Sequence, residues 1–320
     1  MKLLKPHLLV SSAAVAFASG LGATTFLSDS FVTVPAGSQD KTQGEYRENN
    51  GLNAAANADV AGGSIIGFTA GNPWGGNSGL PRTVTTGLNS TSIPSSGGSV
   101  EFRGSDDNLD RYVYRQFSNA GGGVTYFSGT LQASMLDDDA ISLIGFLPAA
   151  EGPRSVDLLN NTGNIGVAFG FKGDGNGGMD LIARYRDESI TNVDSVLQAG
   201  ISAGQSYTVV GRIEWNIPAS LGGSRDQLDI WVDPQSPTFG GFPPAALSTL
   251  GFIGEPTSTI ASVLAQRNFG TGLTDAVFMD EVRVTSAFSD LAVIPEPSQA
   301  GLLVAFMGLA CSVLIRRRIR

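Results

Sequence analysis

The chain has 320 residues, 42% hydrophobic and only 15% charged, a composition that excludes a disordered or collagen-like protein. Its 29 acidic residues outnumber 20 basic ones. Six of those cations (Lys2, Lys5, Arg316, Arg317, Arg318 and Arg320) stand at the two ends, leaving 14 basic against 29 acidic groups between them, a net −15. A surface that acidic repels polyphosphate and anionic lipid and excludes a nucleic-acid partner.

Lys2, Lys5 and His7 precede an apolar run from Leu8 to Phe17, and small residues follow. A positive start, a short apolar stretch and an A-x-A exit predict a secretory signal peptide over 1–23, cleaved after Ala18 or Ala23. Signal peptidase and the Sec translocon are the partners this implies. The single cysteine, Cys311, lies near the other end, so the exported region holds no disulfide and must rely on a packed core.

Residues 37–104 are rich in Gly, Asn, Ser and Thr, broken by Ile65, Ile66, Phe68 and Trp74, and read as loops and edge strands. From there on, alternation dominates. Ile165, Val167, Phe169 and Phe171 share one face, with Gly166, Ala168, Gly170 and Lys172 opposite. Leu181, Ala183 and Tyr185 alternate with Ile182, Arg184 and Arg186. Tyr207, Val209, Ile213 and Trp215 alternate with Thr208, Val210, Arg212 and Glu214, only Val210 breaking the pattern. Leu228, Ile230 and Val232 alternate with Asp229, Trp231 and Asp233, and Pro234 stops that strand. Ser258–Gln266 differs: Ile260, Val263 and Leu264 have helical spacing and predict a short helix. Phe278, Val282 and Val284 then alternate with Met279, Glu281, Arg283 and Thr285. Short strands, polar turns and no βα rhythm predict an all-β domain over 24–293, an antiparallel two-sheet β-sandwich.

The only histidine is His7, within the leader. Ser-His-Asp and Cys-His nucleophiles and histidine-held zinc are therefore excluded from the domain. Carboxylate chemistry remains. A glycosidase needs two acids about 5–10 Å apart, and Asp280-Glu281 is the nearest pair. On a regular strand neighbours face opposite ways, so the pair reads as strand-edge acids, Asp280 bonded to loop backbone and Glu281 solvated or paired with Arg283. Asp174, Asn176 and Asp180 offer hard oxygens to calcium on a Gly-rich loop, although an ordinary β-turn explains that loop better. Asp137-Asp138-Asp139 and Asp106-Asp107 are further acidic clusters, best read as solvated loop charge. Trp231 is a candidate glycan contact if exposed; a strand buried on both faces would cover it.

After Ile294 come Pro295, Glu296 and Pro297, then an uncharged run over 298–315, then Arg316, Arg317 and Arg318. At about 1.5 Å per residue the run reaches the lower limit for a transmembrane helix. The arginines act as a stop on the cytoplasmic side, and the domain faces outward.

Those three parts in that order resemble the PEP-CTERM sorting signal of Gram-negative bacteria, here 294–320. The resemblance implies an exosortase-type processing enzyme as a partner, with Pro295, Glu296 and Pro297 as its recognition residues. The segments YTVVGRIEWN, DQLDIWVDP and FMDEVRVTSAFSD resemble strands of exported PEP-CTERM proteins with a laminin-G-like or concanavalin-A-like (jelly-roll) domain. This implies a non-catalytic protein of the envelope or extracellular matrix, anchored in the inner membrane by the C-terminal helix until processed. Extracellular polysaccharide would be its partner, in a structural or glycan-associated role in biofilm. The alternatives are a lectin-like module and a carboxylate-dependent glycoside hydrolase or lyase.

Overall fold

A computed structural model describes residues 25–29, 31, 33–34, 46–47, 75–76, 82–88, 93, 97–103, 111–118, 123–148, 155–162, 166–218, 224–234, 244–251, 259–267, 276–288 and 291. The expected signal peptide, Asp106-Asp107, the Pro295–Pro297 motif, the apolar run and the arginine cluster lie outside the described residues. Among the described residues no helix is long and apolar enough to cross a membrane.

The N-terminal strands are β1 (Thr25–Asp29), β2 (Thr33–Val34), β3 (Tyr46–Arg47), β4 (Gly75–Gly76), β5 (Arg82–Val84) and β6 (Ser99–Arg103). Next come β7 (Arg111–Ser118), β8 (Val124–Ala133), β9 (Ile141–Pro148) and the helix α1 (Ser155–Asn160). Strands β10 (Val167–Gly173), β11 (Met179–Arg186) and β12 (Asn192–Gln198) form a meander. The chain continues through β13 (Ser206–Pro218), β14 (Ser224–Val232), β15 (Leu247–Gly251), β16 (Thr259–Arg267) and β17 (Ala276–Thr285).

Two antiparallel sheets make the body. The larger runs β15-β14-β13-β8-β17-β6-β5, with β1 also on β17; the smaller runs β12-β11-β10-β9-β16-β7-β4. A short parallel pair, β2–β3, stands apart. Of the described parts of 37–104, β4 and β5 lie at the far edges of the two sheets, as expected, whereas β6 lies inside the larger sheet between β17 and β5.

The inward faces meet in one core. Phe127 of the larger sheet stacks on Phe169 of the smaller at 5.8 Å, and Phe146 closes the cluster 5.1 Å from Phe127. Val209, Ile213, Leu228, Ile230, Leu181 and Ala183 join them, as their alternation requires. Gly211 leaves room for this packing: a Cβ there would lie 1.9 Å from the Phe127 ring. Each outward face carries a smaller apolar cluster. Leu158 and Leu159 of α1 cover Ile141, Leu143, Ala168 and Ile182 on the smaller sheet. On the larger, Val210 and Trp231 are cross-strand partners and pack with Ile93 and Leu291. Val210 departs from the strand's polar phase because its own face is locally apolar.

Two expectations are corrected. Ser258–Gln266 is not helical: Thr259–Arg267 is strand β16, paired along its length with β9 on one side and β7 on the other. Two backbone ladders override a helical spacing carried by only three side chains. Phe278 does not share a face with Val282 and Val284. The core instead takes Val277, Met279, Val282 and Val284, because the register shifts between Asp280 and Arg283 and Glu281 adopts φ 53°. This β-bulge inserts one residue and resets the phase.

Candidate functional site

The bulge changes what Asp280 and Glu281 can do. Because Met279 and Val282 on either side both enter the core, the two acids between them turn together toward the outward side of the larger sheet. The expectation that the pair must face opposite ways is therefore corrected, and so is the strand-edge placement, since β17 lies between β8 and β6. Neither acid is solvated; both are fully buried. Asp280 Oδ2 accepts the Leu88 amide at 3.0 Å and Oδ1 accepts the Glu281 amide at 2.7 Å. Glu281 Oε2 pairs with the Arg283 guanidinium, whose Nη1 donates to the Leu291 carbonyl at 2.9 Å. The expected backbone bond of Asp280 and the Glu281–Arg283 pair are both present, but buried.

Beside this sealed group, Thr130 and Thr208 join their hydroxyls at 3.1 Å. The Thr208 amide donates to Asp233 Oδ1 at 2.8 Å. Burial pushes the Asp233 carboxyl above its ordinary value, and that amide bond offsets part of the rise.

Further along the same face the surface opens. Register places Tyr126, Arg212, Asp229 and Ser248 in one cross-strand row, and Glu214 opposite Gln227 in the next. Arg212 Nη1 donates to Asp229 Oδ2 at 3.3 Å, and Nη2 pairs with Glu214. Gln227 Nε2 donates to Asp229 Oδ1 at 3.0 Å, and the Ser248 hydroxyl donates to the same oxygen at 2.7 Å. Arg212 and Glu214 keep 31% and 41% of their side-chain surface. Phe288 meets Tyr126 edge-on at 5.5 Å, bordering the lattice with half-buried aromatic rings. An ion pair as exposed as Arg212–Glu214 contributes about 0–1 kcal/mol to folding, whereas Asp229 keeps only 14% of its side-chain surface. The Arg212–Glu214 arm of the lattice can thus exchange partners with a ligand at little cost to the sheet.

Trp231 does not offer a stacking surface. It is 6% exposed, packed with Ile93, Val210 and Leu291, because its strand is apolar on both sides at that point. Two of the candidate calcium ligands, Asp174 and Asp180, already accept backbone amides. Asp174 Oδ1 accepts the amides of Asn176 and Gly178 at 2.7 and 3.0 Å, and Asn176 Nδ2 donates to the Asp174 carbonyl at 3.2 Å. Asp180 turns to the Gly200 amide at 2.8 Å. The loop is the Asx-closed turn of the β10–β11 hairpin. In the other acidic cluster Asp137 caps the Asp139 amide at 3.0 Å. Among the described residues no three His, Cys, Asp or Glu side chains are gathered as a metal site.

The smaller sheet holds one charged network missed by sequence reasoning. Arg184, 3% exposed, grips Asp194 through Nε and Nη2 at 2.6 and 2.8 Å. Its Nη1 donates to the Leu158 and Leu159 carbonyls at 2.6 and 3.1 Å, docking α1 on the sheet. Lys172 reaches Asp194 at 2.7 Å. Burial raises the Asp194 carboxyl, but the bonds and charges of Arg184 and Lys172 outweigh it and hold it below its ordinary value. The signal was available in the alternation, which places Lys172 and Arg184 on the side opposite the core residues.

No protein-family model matches the chain, and no curated protein matches it in sequence. Solved structures match at low similarity. The conserved carbohydrate esterase of Shiga toxin-encoding bacteriophage phi24B is 16% identical at TM-score 0.39, covering 67% of this chain and 90% of its own. The T. cruzi calreticulin globular domain is 10% identical at 0.38, covering 66% and 83%. The Emp47p carbohydrate recognition domain is 11% identical at 0.37, covering 68% and 89%. Likenesses of this size leave function to the chain's own geometry.

Proposed function

We propose that residues 24–293 are a non-catalytic, glycan-associated domain of jelly-roll or concanavalin-A-like type. The domain is exported through a Sec signal and sorted by the PEP-CTERM tail to the envelope or matrix. One observation supports the glycan role: the open lattice of Arg212, Glu214, Gln227, Asp229 and Ser248, edged by Tyr126 and Phe288. Sugars present vicinal hydroxyls on one edge of the ring and C–H groups on the faces. Planar polar side chains fixed in register suit the former, and aromatic ring faces suit the latter. The sealing of Asp280 and Glu281 favours binding over carboxylate catalysis, because both acids already have their partners and neither reaches solvent.

The test is binding of the purified chain to a panel of polysaccharides, with reducing-end release assayed in parallel. Binding without release is expected, with loss of at least tenfold in affinity for Arg212→Ala and Asp229→Ala. Binding indifferent to both substitutions, or turnover that one outward-face acid abolishes, would overturn the proposal. For the tail, replacing Pro295, Glu296 and Pro297 by alanine should block processing in an exosortase-bearing host; unchanged processing would remove the sorting role.

A further inference from the structure

We propose that the outward face of the larger sheet carries a second glycan subsite, centred on Phe278 and suited to neutral sugar, so that one domain holds two separate sugar segments. The inference rests on the glycan reading of the Arg212 lattice. Register places Arg82, Glu101, Phe278, Gln132 and Ser206 in one cross-strand row over β5, β6, β17, β8 and β13. Glu101 stands between the core residues Val100 and Phe102, Phe278 between Val277 and Met279, and Gln132 between Leu131 and Ala133. Alternation therefore turns the row away from the core.

Phe278 is the unusual member. It is half-buried, yet it joins none of the apolar clusters that fill the core and the two outward faces. Trp231, on the same face, is packed with Ile93 and Leu291, whereas Phe278 keeps part of its surface in water. Its flanks are polar and already oriented. Gln132 Nε2 donates to the Gly204 carbonyl at 2.8 Å and to Ser206 Oγ at 3.2 Å. Both amide protons are used there, so the side chain is fixed and its Oε1 is left to accept. The Ser206 hydroxyl keeps its own proton to donate. On the other flank Arg82 Nε donates to Glu101 Oε2 at 2.5 Å, which leaves the terminal amino groups of Arg82 as donors. An apolar ring with hydrogen-bonding groups on both sides matches a sugar, whose C–H face lies between hydroxyl edges. The Arg82–Glu101 pair neutralises itself and the chain is a net −15, so uncharged sugar fits and a uronate polymer is repelled.

The two subsites are distinct. On β8 Tyr126 and Gln132 are separated by about 20 Å, at about 3.3 Å per residue. Between them the face is closed, with the Leu88 amide on Asp280 and the Glu281–Arg283 pair sealed. Two sugar segments are thus held apart, which lets one domain crosslink polymer chains.

The test is calorimetric titration of the full chain in detergent with cellotetraose, laminaritetraose, mannotetraose and, as the acidic control, tetramannuronate. A neutral tetrasaccharide should bind at two sites per chain and tetramannuronate at none. Phe278→Leu keeps the apolar volume and removes the ring, and Gln132→Ala trims a partly exposed side chain. Each should weaken one site at least tenfold and leave the other unchanged, while Arg212→Ala should do the reverse. A single site lost in Phe278→Leu and Gln132→Ala but not in Arg212→Ala would support this subsite and remove the lattice. A single site lost in Arg212→Ala alone would overturn the second subsite and leave the first reading standing. No binding of any neutral sugar would overturn both, and tighter binding of tetramannuronate would overturn the neutral class.

Discussion

Two acid–arginine groups share the outward face of the larger sheet and differ in nearly everything but chemistry. In the first, Glu281 and Arg283 lie two residues apart on β17, both buried, with Arg283 tied to Leu291 and Asp280 held by two amides. In the second, Arg212 and Glu214 lie two residues apart on β13, both partly open, joined across the strands to Asp229. The same spacing yields a structural clamp in one place and an available surface in the other. Depth decides. A charge removed from water must keep its partner, whereas one left in water can exchange it.

The comparison breaks most visibly at Arg283. Arg283→Ala strands the Glu281 carboxylate in the interior, and chemical denaturation should show a loss of about 3–5 kcal/mol. A loss below about 1 kcal/mol would mean that Glu281 is hydrated and that the two groups do not differ in kind.

Acidity sharpens the contrast, because two carboxyls of intermediate depth are displaced in opposite directions. Asp194 is held below 3.8, so its contribution is complete above that value and is lost as pH falls through the folded-state pKa. Asp233 is raised above 3.8, so its contribution is present below that value and is lost as pH rises through its folded-state pKa. Melting temperature should therefore fall less steeply on acidification in Asp194→Asn than in the parent. Asp233→Asn should flatten the opposing slope above the ordinary carboxylate value.

The smallest effect belongs to the open lattice. Arg212→Ala should alter stability by no more than about 2 kcal/mol, about 1 for each of the two ion pairs it removes. Its consequence should appear in glycan affinity instead. A stability loss as large as that of Arg283→Ala would make the lattice a second clamp and remove it as a site.

Much of the sandwich is legible in the sequence. The strands at Val167–Gly173, Met179–Arg186, Ser206–Pro218 and Ser224–Val232 follow from alternation, since a half-buried strand must alternate. Ser258–Gln266 reads as helical because three apolar side chains fit either period, and only the two neighbouring strands decide for β16. Helix α1 escaped notice because six residues make a weak pattern, and its place depends on Arg184 from a distant strand.

The site divides the same way. Residue type and phase belong to the sequence: the missing histidine in the domain, the acidic excess, and which of Arg212, Glu214 and Asp229 leave the core. Whether a polar side chain is sealed or open belongs to the tertiary structure, because burial depends on what segments distant in sequence lay over it. Trp231 and Arg212 both leave the core side of neighbouring strands, yet Ile93 and Leu291 cover one and leave the other in water. The bulge at Glu281 is the clearest case. It turns two adjacent acids to one side, and alternation, which assumes a regular strand, cannot foresee the residue that interrupts it.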